Sequence, residues 1–159
     1  MPTEARWFVR TSLVCLFLAS ALGTLQFGWG ALFESAPPPW LRLLHLHLAT
    51  VGWLINMVFG VALWMFPMPK GATREFRPRY PRGAAIACYL ALNLGLALRI
   101  VAEPLERPAI GLASGLLQTA GIAIGVAILW PRIRAIIPPV ATAGAQGPAP
   151  GGTGAPGRP

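Results

Sequence analysis

Long apolar runs separated by short polar breaks dominate this chain, covering about residues 7–33, 41–66, 83–102 and 109–130. Each run reaches the roughly 20 helical residues that a hydrocarbon core requires. The breaks are rich in proline, glycine and charge: ESAPPP after the first run, PMPKGATREFRPRYP after the second and EPLERP after the third. Such clusters punctuate helices rather than continue them. The pattern predicts an all-α, four-helix transmembrane bundle. Within the spans, small and polar residues recur at intervals of three and four. The first carries Ala19, Gly23, Gln26 and Gly30; the fourth carries Gly111, Ser114, Gln118, Gly121 and Gly125. That spacing keeps them on one stripe, and small residues permit close helix approach in lipid. Gln26 and Gln118 are of the right kind to bond across helices there.

After about residue 138 the pattern stops. The segment PPVATAGAQGPAPGGTGAPGRP has almost no bulky apolar residue beyond Val140, too few to offset ordering entropy. A four-span membrane domain over 1–137 followed by a disordered tail over 138–159 is the expected organisation. Composition agrees: 55% of residues are hydrophobic and only 11% charged, a membrane protein's balance.

The formal net charge of +8 reads as topology. If the spans alternate, Arg6, Arg10, Lys70, Arg74, Arg77, Arg79, Arg82, Arg132, Arg134 and Arg158 share one side, leaving Arg42, Arg99 and Arg107 on the other. Cytoplasmic loops carry the excess of basic residues, which places both termini inside and the connections 34–39 and 103–108 outside. A bacterial cytoplasmic membrane is the expected location, with the lipid bilayer as partner and no nucleic acid. Arg6, Arg10 and the apolar TSLVCLFLASALG also have the form of a cleavable signal peptide, but the apolar continuation LQFGWGALF favours a retained span. Cys15 and Cys88 both fall within spans and read as small buried hydrophobes, not as a disulfide.

The two histidines, His45 and His47, both lie near the start of the second span. Imidazole is costly in hydrocarbon and is a common ligand of metals and haem iron, so each is a candidate site residue. At roughly 100° per residue, His45 shares a face with Ala49, Gly52, Asn56 and Gly60, whereas His47 falls with Val51, Leu54, Val58 and Met65. A regular helix cannot aim both at one atom. His45 is therefore the candidate ligand, with Gly52 and Asn56 beside it. Both also lie within about 10 Å of the outer helix end, where a histidine can snorkel to the interface. Arg99 and Glu103 on the third span have the i,i+4 spacing of an ion pair. Arg42, His45, His47, Arg99 and Glu103 gather in the outer leaflet, an arrangement suited to a haem with an axial imidazole and arginines at its propionates.

The segment LRLLHLHLATVGWLINMVFGVALWMFP resembles the second transmembrane helix of haem–copper oxidase catalytic subunits, above all the C-type oxidases and nitric oxide reductases. In that family an Arg-x-x-His motif opens the helix, and its histidine is an axial ligand of the low-spin haem b. The motif falls here on Arg42 and His45. The resemblance covers about 30 residues, and the departures from the family are large. The family has more spans, a second haem ligand on a later helix, and further histidines for high-spin haem and copper. A chain with two histidines cannot hold that binuclear centre, so oxygen or nitric oxide reduction by this chain alone is excluded.

The resemblance implies a small haem b-binding membrane protein of the respiratory electron-transfer type. His45 would be the ligand, with Arg42 and Arg99 near the propionates. One histidine leaves the second axial position open, to be filled across a homodimer, by a larger respiratory complex, or not at all. Copper held by His45 and His47 is less favoured, because their i,i+2 spacing opposes joint ligation. The alternative is a cofactor-free membrane subunit or assembly factor of a respiratory complex. The topology is directly testable in a Cys15→Ala, Cys88→Ala background. Ser35→Cys and Pro104→Cys should react with a membrane-impermeant thiol reagent on intact cells, and Glu75→Cys only after the membrane is opened. The reverse pattern would overturn the orientation.

Overall fold

A computed structural model describes residues 1–67 and 80–133, and among these the chain is entirely helical. The helices are α1 (Thr3–Phe33), α2 (Pro39–Met65), α3 (Arg82–Ala102) and α4 (Pro108–Leu129), and a single 3₁₀ turn over Trp130–Arg132 closes the last. Each of the four is long and apolar enough to cross a membrane, which makes this a multi-pass membrane protein. The segments 68–79 and 134–159, which include the predicted tail and much of the basic loop, lie outside the described residues.

Helix ends follow proline. Pro39 and Pro108 occupy first-turn positions, where the missing N–H costs nothing, and Pro81 immediately precedes α3. α1 stops where Glu34 turns left-handed (φ 52°) and its N–H bonds Gly30 O at 3.1 Å. The predicted spans agree with the helices within a few residues. The interior of α2 differs from expectation: Leu48–Ile55 is wound as π-helix. An i→i+5 turn is wider, so each residue advances by less than in an α-helix and the regular phase is lost. Val51, expected on the oily His47 face, is consequently buried, while Leu54, Val58 and Met65 remain exposed.

α2 and α3 form the centre. α2 packs on α1 through Gly52 and Gly60, where an added Cβ would lie 2.8 Å from Cys15 Cβ and 2.9 Å from Phe8 Cβ. It meets α4 where Phe59 covers Gly125. α3 and α4 interlock through Gly95 against Gln118 and Gly121 against Leu92. α1 and α4 occupy opposite corners with little mutual contact. Phe17, Leu94, Leu112 and Leu116 point outward, as lipid-facing side chains do. The small-residue stripes thus work as helix interfaces. Gln118 donates to Ser114 of its own helix at 3.2 Å.

At the end of the bundle that carries the N-terminus, four helix ends are tied by polar contacts. Glu4 forms an ion pair with Arg82 and accepts from Tyr80 Oη at 3.1 Å. Arg132 is only 1% exposed, although its sequence position suggested a solvated topology charge. Its Nε donates to Pro67 O at 3.1 Å, and its Nη2 donates to Phe66 O at 2.7 Å and Leu63 O at 3.3 Å. The last carbonyls of a helix have no intrahelical donor and carry the negative end of its dipole, so a buried guanidinium serves both needs.

Packing at the glycines can be tested by unfolding the protein in micelles. Gly95→Val places new atoms where a Cβ alone would lie 2.8 Å from Gln118 Cγ and 3.0 Å from Ser114 O. The expected loss is about 1–3 kcal/mol, the usual cost of overpacking. Gly83→Ala, with nothing within 4 Å of its Cβ, should be nearly neutral.

Candidate functional site

His45 lies in the first α-helical stretch of α2, just before the π segment, and faces α1. Its Nδ1 lies 2.8 Å from Ala19 O, and its ring rests on Gly23, where an added Cβ would be 2.9 Å from Cε1. A carbonyl oxygen only accepts, so Nδ1 carries the proton and the neutral ring keeps a lone pair on Nε2. Histidines that bind metals are held in this way, with the second nitrogen donating to a backbone carbonyl or carboxylate. Gly23 is the residue that makes the seat possible, because any side chain there would meet the imidazole.

His47 is held differently. Its Nδ1 donates to Leu43 O of its own helix at 2.8 Å. One ring is fixed on a neighbouring helix and the other along its own backbone. Among the described residues no group of three or more His, Cys, Asp or Glu side chains is placed to hold a metal ion.

The remaining predicted residues fall into separate surroundings. Arg42 is exposed and lines a cleft with Gln26, Pro37, Pro38, Leu43 and Leu46. Arg99 pairs with Glu103 at 3.0 Å, as its spacing suggested, but it lines a different cleft, between α3 and α4. Gly52 is covered by Cys15 and Leu96. Asn56 is fully buried, about three turns along the helix from His45. Arg42, His45 and Arg99 therefore do not converge on one cavity.

Asn56 belongs instead to a polar core that sequence reasoning missed. Its Nδ2 donates to Val51 O in the π segment at 2.8 Å, and its Oδ1 accepts from Asn93 Nδ2 at 3.1 Å. Asn93 also donates to Tyr89 O at 2.8 Å, and the Tyr89 hydroxyl meets Thr11 Oγ1 at 2.7 Å. Hydrocarbon offers no water to a displaced carbonyl, so an amide beside the π segment stabilises it. Asn93 is itself an intramembrane polar residue, which was the available signal. Tyr89, one turn earlier on the same face, is the polar neighbour that marks it.

The cysteines are free and buried, as expected. Cys88 Sγ donates to Gly121 O at 3.2 Å, and Cys15 packs against Gly52. Comparison with family models, curated proteins and solved structures finds no match for this chain.

The Asn56–Asn93 bond is accessible to a double-mutant cycle with Asn56→Ala and Asn93→Ala. Interhelical bonds in membranes average about 0.6 kcal/mol and reach about 1.7, and a coupling in that range is expected. Strict additivity in reversible unfolding would show that the contact contributes nothing.

Proposed function

We propose that the chain is a haem b-binding integral membrane protein of the respiratory electron-transfer type, with His45 as the axial ligand. The observation that carries this reading is the Nδ1–H bond from His45 to Ala19 O, which leaves Nε2 as the donor nitrogen. The Arg42–His45 spacing and its resemblance to the haem–copper oxidase helix support it, as does the basic-residue asymmetry for a bacterial cytoplasmic membrane with both termini inside.

The donor set fits one half of a haem site. Haem supplies reversible one-electron chemistry when bound, and the chain's own residues position it. Ala19 O fixes the tautomer, and the imidazole rests against Gly23. Arg42, one turn before His45 and exposed, is the guanidinium assigned to a propionate. Arg99 is already paired with Glu103. Among the described residues, no second haem ligand comes from the same chain. Met57 lies on the same helix, where its sulfur accepts from Ser12 at 3.8 Å, and Met65 lies at the far end of α2. Two copies of the chain would supply two His45 rings to hold the haem; otherwise another subunit would supply the second ligand, or His45 alone would hold it.

A second reading is favoured by the seating of the ring on Gly23: His45 as a helix lock in a cofactor-free subunit or assembly factor of a respiratory complex. The two readings part in a reduced-minus-oxidised spectrum of protein expressed with haem supplied. Haem binding gives b-type absorption that is lost in His45→Ala and kept in His47→Ala. Colourless protein, or absorption unchanged in His45→Ala, overturns the haem reading.

A further inference from the structure

Between α3 and α4, at the end with the short connections, lies a cleft of about 640 Å³. Its volume is in the range of ligand sites. Its character changes along its length. The mouth carries Arg99, Glu103, Glu106 and Arg107, two cations and two anions. Below them the walls are Leu112 and Leu116, both exposed, and the floor is Gly111 and Gly115. Thr119 closes the deep end, its hydroxyl already donating to Gly115 O at 2.9 Å.

Two features distinguish this cleft from ordinary lipid-facing surface. Among the described residues, Arg99 Nε is buried with no hydrogen-bond partner, although the same guanidinium bonds Glu103 through Nη1. Nothing lies within 4 Å of a Cβ built on Gly115, so the floor is open space. From Arg107 to Thr119 the helix rises about 18 Å, close to one leaflet of a hydrocarbon core about 30 Å thick.

We propose that this cleft binds one zwitterionic phospholipid of the ethanolamine type. The phosphate lies against Arg99 and Arg107, the primary ammonium against Glu103 and Glu106, and an acyl chain along Gly111 and Gly115. Arginine recognises phosphate through paired N–H donors, and Arg99 and Arg107 are the two guanidinium groups at the mouth. The two carboxylates disfavour a purely anionic headgroup, because a like charge beside them is repelled. A choline headgroup lacks the N–H donors that a carboxylate accepts, which leaves the primary amine as the matching group. The deep end presents no free polar group, as an acyl chain requires. The site is independent of His45 and of any haem.

The test is native mass spectrometry of the full chain. Protein is delipidated and re-equilibrated with vesicles of equal parts ethanolamine, choline and glycerol phospholipids of identical acyl composition. One ethanolamine lipid per chain should be retained, in about tenfold preference over the others. Gly115→Leu fills open space, so the helical circular-dichroism signal and thermal unfolding should be unchanged while retention falls about tenfold. Glu103→Gln with Glu106→Gln should remove the preference over the glycerol lipid while a lipid is still bound. Equal retention of all three lipids, or retention unaffected by Gly115→Leu in folded protein, would overturn the proposal.

Discussion

Hydrocarbon leaves a backbone carbonyl nothing to bond except another part of the protein, and the contacts between these helices are organised around that fact. Where two helices meet, a polar side chain of one reaches a carbonyl of the other beside a small residue. His45 donates to Ala19 O next to Gly23, Ser114 donates to Gly95 O at 2.7 Å, and Cys88 donates to Gly121 O. Arg132 does the same at the end of α2, reaching three carbonyls at once. Burial of apolar surface does not drive helix association in lipid, so close packing and these bonds set the arrangement. The small residues expose the backbone, and the donors use it.

The same rule links fold to chemistry. His45, bonded to Ala19 O through Nδ1, locks two helices together and turns Nε2 away from that bond, and α1 supplies the seat. The π segment that follows alters the phase of α2 below His45. Asn56 is thereby directed into a polar core with Asn93, away from the α1-facing seat of His45. Arg99 is likewise directed into the α3–α4 cleft. The polar residues of the four helices thus divide into separate sites.

The helices were legible because length and apolarity decide whether a segment can span, and the proline clusters mark the ends. The Arg99–Glu103 pair and the glycine stripes were legible because both depend on a regular helical period. The unseen features all break a local rule. Eight π-helical residues give no compositional signal, and they invalidate the fixed angle used to place Val51. Arg132 reads as a solvated charge until α2 ends beside it and its carbonyls require a donor. Asn93 finds its side-chain partner, Asn56, only through a tertiary contact. Arg42 and Arg99 share a level in the membrane by topology, but which way each faces depends on packing that sequence spacing does not specify.

The most direct test is the protonation of His45 in haem-free, bilayer-embedded protein. It is measured by ¹⁵N nuclear magnetic resonance of histidine-labelled His47→Gln, so that a single imidazole reports. In the neutral imidazole, Nδ1 should carry the proton in a hydrogen bond and Nε2 should give a pyridine-type resonance. A proton on Nε2, with Nδ1 bare, would contradict both the seat on Ala19 and the ligand role built on it.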